Sequence, residues 1–525
     1  MLKKKLPIGI QTFRDIRDPK ENYVYVDKTE LAFSLISNLK YVFLSRPRRF
    51  GKSLFLDTLS EIFKGSEHLF RGLAIHDRWD WSEKYPVIII SFATGDFSSR
   101  ENLLYCINSE LRNNCEDLGV ELPSHKTQQP GDYLKNLIRA LNDKYQQKVV
   151  ILIDEYDKPI LDTIHHDDKT ATSDARDMLR DFYSAIKASD AYLKFVFLTG
   201  VSKFAKLNLF SGLNNLMDIT INPDYATITG YTHEDLLREF SQRLDGVDIN
   251  EVKRWYNGYN YFGTPIYNPY DILLFLENGC RFKNHWWETG NPRFLIEILK
   301  KEPKFLPDLE NITISDEMLN AFDIERISLP ALLWQTGYLT FGGKQTLMGE
   351  EIYTLKVPNI EIQRSLNALF LDYLTNLYES RLPKMIDASK NLLADNLDGF
   401  KTALVSLFAA IPYHNYANNI IANFEGYYAS VTFAFLASLG FDIVAEETTN
   451  IGRIDMTIKA PDKIYIIEFK VDMPAEAALH QCRTRRYHEK YLADGRPIEL
   501  VGIHFDSQLR NVAGFAVEAV ARCGE

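Results

Sequence analysis

The first half of the chain alternates short apolar runs with stretches of helical periodicity, and this alternation constrains the fold more than any other feature. The apolar runs stand at residues 41–44, 87–90, 149–153 and 195–198. Helical stretches separate them, which is typical of parallel strands joined by helices. The sequence therefore predicts an α/β domain whose parallel sheet is covered by helices.

Length and composition limit the class of protein. At 525 residues the chain exceeds the roughly 250–300 residues at which single cores stop growing, so several domains are expected. No apolar run approaches the ~20 residues that a membrane span needs. The formal net charge of -11 argues against a protein that coats nucleic acid through bulk charge, but it leaves open an enzyme with a locally basic groove. Five scattered cysteines and the lack of a signal peptide predict a cytoplasmic location.

The first apolar run leads into a phosphate-binding loop. The loop reads Arg46-Pro47-Arg48-Arg49-Phe50-Gly51-Lys52-Ser53, so Arg46 stands where the general pattern has its first glycine. Glycine lets the backbone curl its N–H groups toward phosphate, lysine reaches the β and γ phosphates, and a hydroxyl holds Mg²⁺. The sequence predicts that ATP and Mg²⁺ bind here, with Ser53 as a metal ligand and with a contact set comprising Arg48, Arg49, Phe50, Gly51, Lys52 and Ser53.

The third apolar run ends in two acids, at the sheet edge where ligands bind in open parallel sheets. We expect Asp154 to lie behind the Mg²⁺ and Glu155 to orient or deprotonate the attacking water. The alternative is a buried strand that ends in two solvated acids. After the fourth run, Thr199 or Ser202 is a candidate sensor of the γ phosphate, with structural capping as the alternative.

A second group of charged residues lies near the C-terminus. Asp455 is followed, after twelve residues, by Glu468-Phe469-Lys470, and the strand-like run 464–467 stands between them. Alternation along a strand places Glu468 and Lys470 on one face. Two carboxylates at adjacent strand ends can hold Mg²⁺, which activates water, while Lys470 adds positive charge near the phosphorus. This pattern predicts phosphodiester cleavage, although an acid followed by Glu-x-Lys also occurs in solvated strands.

The chain resembles the AAA-ATPase-like family of bacterial proteins, which pair an ATPase with a C-terminal nuclease domain of the PD-(D/E)XK superfamily. The resemblance rests on the loop and on these further motifs: Tyr25-Val26-Asp27-Lys28-Thr29, Asp154-Glu155-Tyr156-Asp157, Phe210-Ser211-Gly212-Leu213-Asn214-Asn215-Leu216, Tyr256-Asn257-Gly258-Tyr259 and Tyr267-Asn268-Pro269. It implies that Glu425, on a helix, completes the metal site, and that Gln481 is the polar helix residue beside it. A helix N-terminal acid is the alternative for Glu425. The family further implies that a neighbouring subunit commonly supplies an arginine to the ATPase site.

We expect three regions: a P-loop NTPase domain with a parallel sheet (1–230), a mostly helical or mixed connecting region (231–385) and an α/β PD-(D/E)XK nuclease-like domain (386–525). The expected function is ATP binding and hydrolysis coupled to a Mg²⁺-dependent nuclease. The alternative is an ATP-dependent switch whose C-terminal module binds nucleic acid or a protein without cutting.

Expected partners are nucleic acid, with DNA placed before RNA, and further copies of the chain, but no membrane. The arginines at 483, 485 and 486 are predicted on a helix, as DNA contacts or a solvated face, and His165 and His166 in an exposed loop.

Overall fold

The structure is a computed structural model. It describes residues 4–122, 129–163, 169–203, 213, 215–286, 312–320, 322–323, 326–375, 381–411, 425–438, 441–449 and 451–520. Internal contacts divide these residues into two compact units, the first built from 4–286 with 312–360 and the second from 361–520. The three-region division at 230 and 385 stays a prediction. No helix within the described stretches combines the length and apolarity that crossing a membrane requires.

The first unit contains the predicted parallel sheet. Its strands are β1 (Tyr41–Ser45), β2 (Val87–Ser91), β3 (Val149–Asp154), β4 (Leu193–Gly200) and β5 (Met217–Asp218). They lie in the order β2-β3-β4-β1-β5, and every neighbouring pair is parallel. All six residues of β3 are buried, as continuous apolar strands are when helices cover both faces of a sheet. The α/β prediction for this half of the chain is confirmed.

Seven helices accompany this sheet. They are α1 (Phe13–Arg17), α2 (Thr29–Asn38), α3 (Lys52–Phe63), α4 (Arg100–Asp117), α5 (Pro130–Tyr145), α6 (Lys158–Leu161) and α7 (Lys169–Ala188). The predicted helical spacing after the loop is confirmed in α3, whose Leu59 and Ile62 pack in one core with Val42 and Leu44 of β1. Packing of these apolar faces fixes the start of α3 at the carboxyl edge of the sheet.

Capped helices follow the sheet in the same unit. They are α8 (His233–Phe240), α9 (Ile249–Tyr256) and α10 (Pro269–Glu277), with a short antiparallel pair, β6 (Tyr231–Thr232) and β7 (Ile266–Tyr267). Thr232 and Asp235 form a capping box at α8, and Asp248 and Asn268 cap α9 and α10. Their apolar faces share a core with Val24 and other residues of the N-terminal segment.

A three-stranded antiparallel sheet completes the first unit. Its strands are β8 (Ile312–Ser315), β11 (Thr340–Leu347) and β12 (Glu350–Lys356), in the order β11-β12-β8. Between β8 and β11 the chain forms α11 (Asp316–Asn320), the antiparallel pair β9 (Phe322–Asp323) and β10 (Arg326–Ile327), and α12 (Leu329–Thr336). Residues 337–339 join α12 to β11. Gly337 ends α12 in the left-handed region, and the N–H groups of Tyr338 and Leu339 both donate to the Leu333 carbonyl.

The second unit begins with helices α13 (Ile360–Thr375), α14 (Arg381–Leu393), α15 (Leu397–Ala409) and α16 (Glu425–Ser438). Helices α14 and α15 are separate, because Asp395 is left-handed and Asn396 caps α15 by accepting the Gly399 N–H.

A mixed sheet follows these helices, with the order β13-β14-β15-β16-β17. The elements are β13 (Asp442–Thr448), β14 (Arg453–Lys459), β15 (Ile464–Val471), α17 (Ala475–Thr484), β16 (Ile498–Asp506) and β17 (Asn511–Ala519). Only the β15–β16 pair is parallel among the described strands of this sheet, and α17 is the crossover that joins them. Helix α17 lies close to the sheet, since a Cβ on Gly502 would stand 2.3 Å from the Ala475 carbonyl oxygen.

We expect Gly258→Ala to destabilise the first unit strongly. Gly258 has φ +113, and a Cβ there would lie 2.1 Å from the Pro358 carbonyl oxygen. The loss should be at least about 3 kcal/mol, because backbone on both sides must move. Gly246→Ala is the matched control: its φ is +74 but nothing lies within 4 Å of the new Cβ, so it should cost only about 1–2 kcal/mol. Calorimetric unfolding of the full-length chain checks this, and equal losses for both variants would contradict it.

Candidate functional sites

The phosphate-binding loop joins β1 to α3 as the sequence predicts. Gly51 precedes α3 at φ 85, and Arg49 is left-handed at φ 68. The Lys52 ammonium donates hydrogen bonds to the carbonyl oxygens of Arg46 (3.0 Å) and Pro47 (2.9 Å). The lysine thus folds back over the loop, where its charge and the N–H groups at the start of α3 suit an anion.

The structure brings the acids after β3 toward this lysine. Burial lowers the pKa of Lys52, and the carboxylates of Asp154, Glu155 and Asp157 oppose that shift. Asp154 is buried and its Oδ1 accepts the Glu155 N–H at 3.0 Å. Glu155 is partly buried and left-handed at φ 50, which is unusual for this residue type. Burial, then the charge of Asp154, raises the pKa of Glu155, while Lys52 opposes the rise.

Oxygen ligands for a divalent cation are present beside the loop. Ser53 is partly buried in the first turn of α3, and Asp154 ends β3. A hydroxyl, a carboxylate and water are the ligands that Mg²⁺ prefers. These residues therefore fit the predicted Mg²⁺ site of a bound nucleotide.

The two candidate sensors after β4 differ in their hydrogen bonds. The Ser202 hydroxyl donates to Asp157 at 2.6 Å, so Ser202 serves the structure. Thr199 is fully buried, and within the described residues its hydroxyl has no hydrogen-bond partner. Asp157, which sequence reasoning did not single out, also accepts the N–H groups of Val201 and Ser202. It ties the chain after β4 to the chain after β3, and its place in the Asp154–Asp157 motif was the available signal.

Arg46 is buried inside the first unit. Its guanidinium donates to the carbonyl oxygens of Ser45 (3.0 Å) and Thr220 (2.6 Å) and lies 3.7 Å from the ring centroid of Tyr261. Burial lowers the pKa of Arg46 to about 10. Arg46, which stands in place of the usual glycine, therefore links the start of the loop to Thr220 and Tyr261.

Two further side chains of the loop pack on tyrosines of the same region. The Arg49 guanidinium lies 4.3 Å from the Tyr270 ring centroid. Phe50 is buried and contacts the Tyr259 ring edge-on at 4.8 Å between centroids. Residues 259–270 thus set the shape of the loop.

An apolar pocket adjoins the loop at the start of α3. Its lining includes Phe50 and Gly51 of the loop and Thr229. Thr229 is buried, and its hydroxyl lacks a hydrogen-bond partner among the residues that the structure describes.

The second candidate site lies where β14 and β15 separate. Pairing of these strands runs from Lys459–Ile464 to Met456–Ile467 and stops there. One residue further along each strand stand Asp455 and Glu468, and the Phe469 N–H donates to Asp455 Oδ2 at 2.8 Å. Both carboxylates thereby reach the same edge, as predicted.

Glu468 is the most perturbed group of this site. It is 1% exposed, and its Oε2 has no hydrogen-bond partner within the described residues. Burial, then the charge of Asp455, raises the pKa of Glu468 to about 8, and Lys470 opposes the rise. Lys470 Nζ lies 3.3 Å from Glu468 Oε1, which confirms that the two side chains share a face.

Gln481 of α17 completes the cluster. Its Nε2 donates one hydrogen bond to Glu468 Oε1 and another, at 3.4 Å, to the Tyr487 hydroxyl. The Tyr487 hydroxyl donates in turn to the Arg453 carbonyl at 2.6 Å. Tyr487 is a buried member of the site that sequence reasoning missed, because only the turn after α17 brings it there.

The donor set fits a magnesium ion. Within the described part of the chain, no three His, Cys, Asp or Glu side chains group closely enough to hold a metal. Asp455 and Glu468 are a pair, and Mg²⁺ usually binds through one or two carboxylates and keeps several waters. Glu425 begins α16 as predicted, and its side chain lies outside what is described. His165, His166 and most of the run 210–216 lie outside the described residues as well.

Of the three arginines predicted on a helix after Gln481, Arg483 lies on α17 and the other two do not. Helix α17 ends at Thr484, and Arg486 is left-handed, so Arg485 and Arg486 do not continue the helix. Arg485 donates to the Ile451 carbonyl at 2.9 Å, and Arg483 pairs with Glu518 at 3.3 Å. All three arginines are exposed.

Comparisons with known proteins agree with these two sites. A family model described as predicted AAA-ATPase matches residues 7–210, and one described as PD-(D/E)XK nuclease superfamily matches residues 423–514. A protein of Azotobacter chroococcum mcd 1, described as an uncharacterized protein in the vnfD 5' region, is 45% identical over 523 residues, which cover 99% of this chain and 100% of that protein. The chain therefore belongs to one family with that protein, and it combines a domain of the predicted AAA-ATPase family with a domain of the PD-(D/E)XK nuclease superfamily.

Proposed function

We propose that this protein binds and hydrolyses ATP and that this activity controls a Mg²⁺-dependent nuclease in the same chain. The observation that carries the proposal is the convergence of Asp455, Glu468, Lys470 and Gln481 where β14 and β15 separate. A module that only binds nucleic acid has no chemical need for two carboxylates and a lysine at one point.

In the nuclease site, Asp455 and Glu468 would hold the metal, which when bound supplies water activation and charge stabilisation. Oε2 of Glu468 is buried and has no hydrogen-bond partner among the residues that the structure describes. This supports the role, because a buried carboxylate is costly unless a cation compensates its charge. Gln481 orients Glu468 through its hydrogen bond, and the Phe469 N–H orients Asp455. Lys470 places a positive charge beside the position of the phosphate.

In the ATP site, Lys52 and the loop N–H groups bind the phosphates, and Ser53 and Asp154 hold the Mg²⁺. Glu155 accepts a proton from the attacking water, a role that its raised pKa favours. The apolar pocket beside Gly51 receives the base, and the Thr229 hydroxyl offers it a hydrogen bond.

Although the net charge of the chain is negative, positive side chains group near the nuclease site, where nucleic acid would bind. Arg483, Arg485 and Arg486 are exposed just after Gln481. We propose that they contact the phosphate backbone and that DNA is the first substrate to test.

We expect the protein to cut plasmid or single-stranded DNA with Mg²⁺ or Mn²⁺, and Asp455→Ala to lower the rate by at least about 100-fold. Even residues behind metal ligands typically contribute about 10–100-fold. Asp462→Ala, an exposed acid in the turn between the same two strands, is the control. Cleavage by Asp455→Ala at the native rate would contradict the assignment. No cleavage by the native chain, with ATP hydrolysis intact, would favour a switch that binds without cutting.

Lys52→Ala should weaken ATP binding by about 10–100-fold, since hydrogen bonds to charged groups contribute about 1.5–3 kcal/mol. Hydrolysis should be lost, and ATP should no longer alter DNA cleavage. Titration with a fluorescent ATP analogue measures the affinity, and Lys64→Ala, just after the last turn of the same helix, is the control. If Lys52→Ala retains the dependence of cleavage on ATP, the coupling does not run through this site.

The raised pKa of Glu468 predicts how stability depends on pH in metal-free protein. The native carboxyl keeps its proton up to about pH 8, whereas the unfolded chain releases it near pH 4.5. The native state therefore binds more protons between these values, and stability falls as pH rises through this window. Between about pH 5.5 and about pH 8 the second unit should lose about 2–3 kcal/mol, and Glu468→Gln should remove most of this loss. Calorimetry of the full-length chain with EDTA tests this, and parallel pH profiles for both proteins would refute it.

A further inference from the structure

The three arginines of the phosphate-binding loop have different surroundings. Arg46 is buried against Tyr261, and Arg49 stacks on Tyr270. Arg48 is exposed, and the described residues offer its guanidinium no hydrogen bond, ion pair or ring contact. One loop arginine thus keeps its side chain available while the other two are held by tyrosines.

The backbone of Arg48 also lies beside the Lys52 ammonium. The Lys52 ammonium binds the Pro47 carbonyl, which belongs to the peptide group that joins Pro47 to Arg48. The next residue, Arg49, has a left-handed backbone, which bends the chain before it reaches Gly51. Arg48 is therefore separated from the Lys52 ammonium by a single peptide group, and its exposed side chain begins beside that ammonium.

We infer that Arg48 is a catalytic residue that binds the γ phosphate of ATP within its own chain during hydrolysis. The inference rests on the proposed ATP site. It replaces the expectation that an arginine from a neighbouring subunit completes this site. Of the other loop arginines, Arg46 is buried and Arg49 would have to leave the Tyr270 ring, so Arg48 can take this role with the least rearrangement.

The chemistry needs such a cation. The oxygen of water forms a bond to the γ phosphorus while the bond to the β–γ bridging oxygen breaks, which gives ADP and phosphate, and Glu155 accepts the water proton. Negative charge moves toward the bridging oxygen and the γ oxygens in the transition state. A planar guanidinium can donate to two of these oxygens at once, which lysine cannot do.

The first test compares ADP with ADP plus aluminium fluoride, which mimics the γ phosphate in the transition state. Arg48→Ala should leave the affinity for ADP within about 3-fold and weaken binding of the fluoride complex by about 100-fold or more, with kcat lower by about 10³-fold or more. Arg48→Lys should recover only part of this loss. Arg254→Ala, an exposed arginine in the same unit that pairs with Glu251, is the control. Because Arg48 is exposed, an unchanged unfolding temperature is expected and is measured alongside.

The outcomes separate the inference from the function on which it rests. If the native chain binds neither ADP nor the fluoride complex, the proposed ATP site fails and the assignment of Arg48 fails with it. If the native chain binds both and Arg48→Ala weakens both equally or neither, only the assignment of Arg48 is overturned.

The second test asks in which chain Arg48 acts. Chains with Arg48→Ala and chains with Lys52→Ala are mixed, and ATP hydrolysis is measured. If Arg48 acts in its own chain, every site lacks either Arg48 or Lys52, so the mixture should remain as inactive as its components. Recovery of activity in the mixture would show that Arg48 reaches the neighbouring chain and would overturn the inference.

Discussion

The buried guanidinium of Arg46 makes the interactions on which the conformation of the phosphate-binding loop depends. Removing a charged group from water costs several kcal/mol unless its hydrogen bonds are replaced. Here the carbonyl oxygens of Ser45 and Thr220 and the ring of Tyr261 replace them. Tyr261 lies sixty residues beyond β4, so the loop takes its shape from chain that is distant in sequence. The phosphate-binding loop and residues 259–270 therefore pack together, and the conformation of the loop depends on these contacts.

Both sites use the same electrostatic arrangement. In each, a partly or fully buried glutamate lies near an aspartate, so that burial and like charge raise its pKa, and a lysine opposes the rise. Glu155 has Asp154 and Lys52 as these neighbours, and Glu468 has Asp455 and Lys470. The charges of the three groups in each site interact, so a bound cation or phosphate would change the pKa of the glutamate. Perturbed carboxylates of this kind are concentrated at functional sites.

Much of the fold, and the meeting of the candidate acids and lysines at two strand edges, could be predicted from the sequence, because local patterns encode them. The apolar runs specify the strands, and alternation along β15 places Glu468 and Lys470 together. The remaining features depend on tertiary contacts that no local pattern records. Nothing in Arg46-Pro47-Arg48-Arg49 shows which arginine is buried, since that choice is made by Tyr261 and Tyr270. The end of α17 at Thr484 and the arrival of Tyr487 beside Gln481 are likewise set by packing, not by helix propensity.

The hydrogen bonds from Lys52 to the carbonyl oxygens of Arg46 and Pro47 have a consequence for the kinetics of ligand binding. Before a nucleotide arrives, the ammonium already links both ends of the loop, so the backbone is curled around a cation and need not be ordered by phosphate. The entropy of ordering the loop has been lost during folding, and the arriving phosphate only exchanges partners with the lysine. Association should therefore be limited by diffusion and access, whereas release requires the lysine to return to its own chain.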